Sequence, residues 1–226
     1  MQLVHYFLLV PVDLTQFALR ERFFAPLRLY LYLKSHCRGQ VKLTNTLIQH
    51  IARDLKVSSR TVKNNLKELR DRNWVGCDPK SGYYFVRGFE KVLEITGCKT
   101  RTGGWLSVNR DLFDNQKFKA FIAGAAIGYL ANAQKRRAWR SARLEQKKTS
   151  SVHDLAKHLP SHYPVACAAM GKIFCISIAT AHGYRKLAAE YGYIELQKDC
   201  QPLTVGPGED QEERSSGPLN FSVNRV

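Results

Sequence analysis

The chain has 226 residues, 44% of them hydrophobic, with 35 Lys and Arg against 19 Asp and Glu and a formal charge of +16. That length suits one large or two small domains, each half being long enough to bury a core, and the cationic excess points to a polyanionic partner. The apolar stretch 120–133 (AFIAGAAIGYLANA) falls short of the ~20 residues a helix needs to cross a bilayer, so no membrane partner is expected. The opening MQLVHYFLLVPVDL lacks a cationic start and a small-residue cleavage site, so no signal peptide is expected either. The six cysteines (37, 77, 98, 167, 175 and 200) form no CxxC and read as reduced thiols, which places the chain in the cytoplasm.

In chain order, a strand is expected over 3–12, with Pro11 near its end. A first helix follows over 26–35, where Leu27, Tyr30, Leu31 and Lys34 recur at helical spacing, as do Leu29 and Leu33; it is apolar nearly all round, and Gly39 breaks it. Thr44 or Asn45 can cap a second helix carrying Leu47, Ile48, Ile51, Ala52 and Leu55. After the turn Lys56-Val57-Ser58, a third helix is predicted, capped by Ser58 and ending near Asn73. Its Val62, Leu66 and Leu69 face inward, while Arg60, Asn64 and Lys67 fall on the opposite face with Lys63 beside them. Strands are expected at 74–77 and 83–87, joined by the turn-rich Asp78-Pro-Lys-Ser-Gly82, a wing with Lys80 at its tip.

The layout then restarts. Residues 96–104 read as a linker, and 105–109 (WLSVN) as a strand comparable with 9–13 (LVPVD). A helix is expected from 119 to about 140 and a short one over 153–159. Another is expected over 165–174, and then a second outward-reading helix over 178–191. In that last helix Ala181, Tyr184, Ala188 and Tyr191 are assigned inward, and His182, Arg185 and Lys186 outward. A strand begins near 193, with no clear second wing strand after it, and from 205 the Gly, Pro, Ser and Glu content predicts a flexible acidic tail. Within 135–148 lie Lys135, Arg136, Arg137, Arg140, Arg143, Lys147 and Lys148 against the single Glu145, part of extra chain near 134–158.

One pattern occurs twice. LKVSSRTVKNNLKELRDRNWV (55–75) and FCISIATAHGYRKLAAEYGYI (174–194) align without a gap, residue 55 falling on 174, an offset of 119. Ser58 and Thr61 match Ser177 and Thr180, and Trp74-Val75 matches Tyr193-Ile194. With the strands that follow, residues 43–87 and 165–197 resemble tandem winged helix-turn-helix DNA-binding proteins. YRKLAAEYGYIEL is similar to bacterial regulators of this kind, and two such units in one chain are similar to plasmid replication initiators.

The resemblance implies a mainly α fold with small β-hairpins, made of two winged helix-turn-helix units in tandem. The first domain covers 1–95, the linker 96–104, the second domain 105–204 and the tail 205–226. It implies cytoplasmic binding of double-stranded DNA at inverted or direct repeats. A recognition helix in the major groove sets its outward residues against bases. Arg60 suits guanine and Asn64 adenine; Lys63, Lys67 and Arg70 suit phosphates, and Lys80 and Arg87 a phosphate or the minor groove. In the second unit His182 and Arg185 are the base readers and Lys186 a phosphate contact. Lys135, Arg136, Arg137 and Arg140 add affinity for any sequence.

The favoured reading is a transcriptional regulator with no enzymatic activity. The alternatives are a replication initiator at iterated sites in a plasmid or phage origin, which must recruit replication machinery, and a protein-interaction adaptor built on winged helices. A homodimer is a further partner considered, although one chain already offers two readers. No cofactor is expected. His153, His158, His162 and Cys167 complete no familiar zinc pattern, so no metal is expected. The dispersed carboxylates assemble no two-metal nuclease.

Overall fold

A computed structural model describes residues 7–37, 39–98, 102–146, 163–198 and 219–222. Pro11 sets the first boundary: it closes strand β1 (Phe7–Pro11), and with φ at −55° and no N–H to donate it also opens helix α1 (Val12–Arg20). The sequence pattern predicts no helix here. Leu14, Phe17 and Ala18 lie at i, i+3 and i+4 and are buried, with Asp13 in the first turn and Arg20 in the last, where the helix dipole favours them.

β1 pairs antiparallel with β5 (Gly103–Ser107), Leu9 opposite Trp105. Leu9 and Trp105 open the two stretches compared in the sequence; the rest of the ladder runs antiparallel, with Val10 opposite Gly104 and Pro11 opposite Gly103. Gly103 is required in the ribbon, because a Cβ there would collide with the Val10 carbonyl.

Helix α2 (Phe24–His36) is buried over most of its circumference, as its apolar sequence demands. Behind it come strand β2 (Gln40–Lys42) and helices α3 (Asn45–Asp54) and α4 (Ser59–Asp71). Strands β3 (Val75–Cys77) and β4 (Tyr83–Val86) follow, in a three-stranded sheet of order β2-β4-β3. Trp74 is fully buried and anchors this half, its ring 5.0 Å from Phe23, 5.2 Å from Tyr30 and 5.7 Å from Phe17. Helix α5 (Phe89–Thr96), which the sequence pattern does not announce, ends at Gly97 with φ of 70°.

After β5, a turn of π-helix (Val108–Leu112) leads into α6 (Asn115–Gln146), which at 32 residues is about 48 Å long. Asp114 starts α6 by accepting the N–H groups of Gln116 at 2.8 Å and Lys117 at 2.9 Å. The last elements are α7 (Cys167–Phe174), α8 (Ile178–Glu190) and strands β6 (Glu195–Lys198) and β7 (Leu219–Ser222). β6 and β7 pair antiparallel, so part of the segment expected as a flexible tail supplies a partner for the strand that the sequence leaves unpaired. The short helix expected over 153–159 lies outside the described residues, as does the rest of the tail.

The molecule is therefore mainly helical with small antiparallel sheets. The β1–β5 ribbon, the packing of α6 against α1 and the packing of α2 against the π turn join both halves around one continuous apolar core. Arg28 of α2 is 3% exposed and donates its Nε–H to the Leu112 carbonyl at 2.6 Å, a buried polar tie between the halves that the apolar pattern of α2 conceals. Gly124 of α6 is a second tie: a Cβ there would stand 2.5 Å from the Tyr193 Cβ, so glycine is what lets the second unit seat on the long helix. Among the described residues no helix is long and apolar enough to cross a membrane.

Candidate nucleic-acid interface

The 119-residue repeat is a repeat of backbone geometry. Lys56 and Cys175 both take a left-handed conformation, φ 51° and 53°, at the turn between the helices of each pair. One residue on, Val57 N–H donates to the Ala52 carbonyl at 2.9 Å and Ile176 N–H to the Gly171 carbonyl at 3.1 Å. Ser58 then caps α4 by accepting the Thr61 N–H at 3.0 Å, and Ser177 caps α8 by accepting the Thr180 N–H at 3.1 Å. Each cap hydroxyl is also 2.8 Å from its threonine hydroxyl. α4 and α8 each run 13 residues. Both end through a left-handed residue, Asn73 and Gly192, φ 59° and 75°. Trp74 and Tyr193 then donate back to Leu69 and Ala188, at 2.8 Å and 2.9 Å. Local sequence explains this: a Ser cap satisfies otherwise orphaned N–H groups at a helix start, and Asn and Gly are the residues that tolerate the left-handed stop.

The outer faces differ. On α4, Val62, Leu66 and Leu69 are buried, and Arg60, Lys63, Asn64, Lys67 and Arg70 are all exposed, the first four on adjoining positions of one face. Glu68 does not neutralise that face, because it turns to Arg72 at 3.7 Å, and the Arg72 guanidinium lies 4.7 Å over the Phe23 ring. In the turn between β3 and β4 Lys80 is exposed. Asp78 organises the turn, accepting the Ser81 hydroxyl at 2.6 Å and the Lys80 N–H at 3.0 Å, bonds that hold its carboxyl below the usual range.

Of two further expected contacts, one is engaged within the chain and the other is turned inward. Arg87 is half-buried. It donates Nε–H to the Asn73 carbonyl at 2.7 Å and a terminal N–H to Asn73 Oδ1 at 2.6 Å, clamping the end of α4. Arg185 is 7% exposed. It stands at i+4 from buried Ala181, on the inner stripe of α8, at the place Leu66 holds in α4; the sequence pattern assigns that inner slot to Tyr184. The second face therefore presents exposed His182 and Lys186 alone of the three residues expected there.

Lys135, Arg136, Arg137 and Arg140 are exposed on α6, which runs on past the end expected near 140. Lys147 and Lys148 lie outside the described residues. At the base of the second unit Asp111, fully buried in the π turn, accepts the Ser107 N–H at 3.1 Å and the Arg110 Nε–H at 2.7 Å. Burial, and then a hydrogen bond to Asp111, pushes the Tyr193 phenol up. Nothing in the sequence pattern singles out this network. Among the described residues no group of three His, Cys, Asp or Glu is placed to hold a metal ion; His153, His158 and His162 lie outside them.

Comparison with family models, with curated proteins and with solved structures finds no match to this chain.

Proposed function

We propose that the chain is a sequence-specific binder of double-stranded DNA built from two winged helix-turn-helix units, and that it acts as a transcriptional regulator. The observation that carries this reading is the constant-offset repeat of a capped helix pair together with the cationic outer face of α4. A helix that buries Val62, Leu66 and Leu69 and exposes Arg60, Lys63, Asn64 and Lys67 has the dimensions and donors to enter a major groove. Arg60 and Asn64 read base edges, Lys63, Lys67 and Arg70 hold phosphates, and Lys80 reaches the backbone from the wing. α8 makes the lesser contact through His182 and Lys186. The basic end of α6 adds affinity without sequence preference.

A replication initiator is the second reading. It is favoured by the β1–β5 ribbon, which ties two such units into one body able to engage neighbouring stretches of a repeated site. Electrophoretic shifts on operator-like and iterated-origin duplexes separate the two. A regulator binds a site overlapping a promoter, and an initiator needs adjacent repeats for full affinity. Failure to bind any duplex at low salt overturns both and leaves the adaptor reading.

A further inference from the structure

A groove of about 620 Å³ lies between β5 and the middle of α6, away from both α4 and the outer face of α8. Gly104, Gly124 and Gly128 line it together with Phe121, Ala125 and Tyr193. Three aromatic residues line it, Trp105, Tyr129 and Trp139, and the two tryptophans are 53% and 36% exposed. Large apolar rings left open to water beside a cavity mark a binding surface. Lys135 and Arg136 line the same groove, and no acidic residue does so among the described ones. The Arg136 guanidinium is held over the Tyr129 ring, 6.0 Å from its centre.

Aromatic side chains and cations lining one groove fit a ligand that is itself flat, aromatic and anionic, which is the chemistry of a nucleotide. The cations continue past the groove on the same helix face, Arg140 and Arg143 following Arg136 at i+4 and i+7, both on the outside of the helix. A row of cations that runs on beyond the groove suits a polymer with repeating phosphates better than a free nucleotide. We propose that this groove receives unpaired bases of single-stranded DNA, stacked on Trp105 and Trp139, with phosphates on Lys135, Arg136, Arg140 and Arg143. Stacking on aromatic side chains beside a basic track is the general mode of sequence-tolerant strand binding. The choice of DNA over RNA rests on the duplex-DNA reading above; the groove itself uses no side chain of α4 or α8.

The test is tryptophan fluorescence of the full chain titrated with a thymidylate oligonucleotide of about twelve units, a length within the usual site sizes. Trp74 is fully buried, so quenching reports Trp105 and Trp139. The expected result is saturable quenching, weakened roughly ten-fold or more in Trp105→Ala and in Trp139→Ala, retained in Trp139→Phe, and made less salt-dependent in Arg136→Gln. Thermal melts of each variant check that the fold is intact. A double change of Arg60→Ala and Asn64→Ala sharply reduces duplex selectivity and leaves oligonucleotide quenching unchanged, which separates this proposal from the duplex reading. Three results overturn it: no quenching, equal binding of an abasic oligonucleotide of the same length, or equal binding of thymidine monophosphate alone.

Discussion

α4 and α8 share a backbone, cap for cap and turn for turn, but not a surface. α4 spends its outer face on five exposed basic or amide side chains, whereas α8 exposes His182 and Lys186 and turns Arg185 inward. The interiors differ in the same direction: fully buried Trp74 anchors the first unit, and its counterpart Tyr193 is half-buried against Gly124 and bonded to Asp111. The two helix pairs thus share the residues that satisfy backbone groups and differ in the side chains they present.

The two anchors should differ most. Trp74→Ala should cost about 3–5 kcal/mol, the usual loss for a buried large aromatic, and Tyr193→Ala distinctly less, as measured by urea denaturation; equal losses would mean that the second unit is as tightly anchored as the first. Next is DNA affinity. The double change of Arg60→Ala and Asn64→Ala should weaken binding to the preferred duplex by roughly thirty-fold or more, given about 1–3 kcal/mol for each of two bidentate base contacts. His182→Ala with Lys186→Ala should weaken it only a few-fold, and Arg185→Ala should lower thermal stability while leaving affinity unchanged. Equilibrium titrations by anisotropy give these ratios, and a large drop in affinity in Arg185→Ala would restore it as a DNA-contacting residue.

Replacing Lys135, Arg136 and Arg137 together by Ala should weaken binding to every duplex alike and reduce the salt slope by about one unit for each phosphate no longer neutralised. An unchanged slope removes the end of α6 from the duplex interface. The smallest effects concern the shared scaffold. Ser58→Ala and Ser177→Ala should each cost about 1 kcal/mol, and a strong inequality between them would show that the matched caps do not carry matched helices. Asp114→Asn tests the cap that starts α6. The Lys117 and Gln116 N–H groups hold the Asp114 carboxyl below its ordinary 3.8, so its contribution is present above that pH and is lost as pH falls through the depressed value. The difference in melting temperature between Asp114→Asn and the parent should therefore shrink in acid.

Much of this fold is readable from local signals. Ser58 and Ser177 announce helix starts, Val62, Leu66 and Leu69 set an inner stripe, and Asp78 to Gly82 dictates a tight turn; each rests on neighbours within a few residues. What escapes such a reading depends on distant contacts. α1 hides behind the apolar opening because Leu14, Phe17 and Ala18 only acquire a face once α6 and the Trp74 cluster are in place. β7 is hidden because its partner β6 lies across the polar stretch that dominates the tail. Arg185 is misassigned because Tyr184 and Arg185 are neighbours about 100° apart on a helix, and only the packing, with Tyr184 beside Phe24 at 5.7 Å, decides how the pair is placed. At the candidate interface, α4 can be read residue by residue, while the role of Arg87 requires knowing that it meets Asn73.

The most direct measurement is selection of bound duplexes from a random-sequence pool at about physiological salt. Readers of unequal chemistry on α4 and α8, as proposed, predict an enriched motif with one strongly specified half, read by α4, beside a second and weaker half. No enrichment, with binding that disappears as salt rises, would contradict sequence reading altogether and reduce the cationic surface to charge-driven attachment.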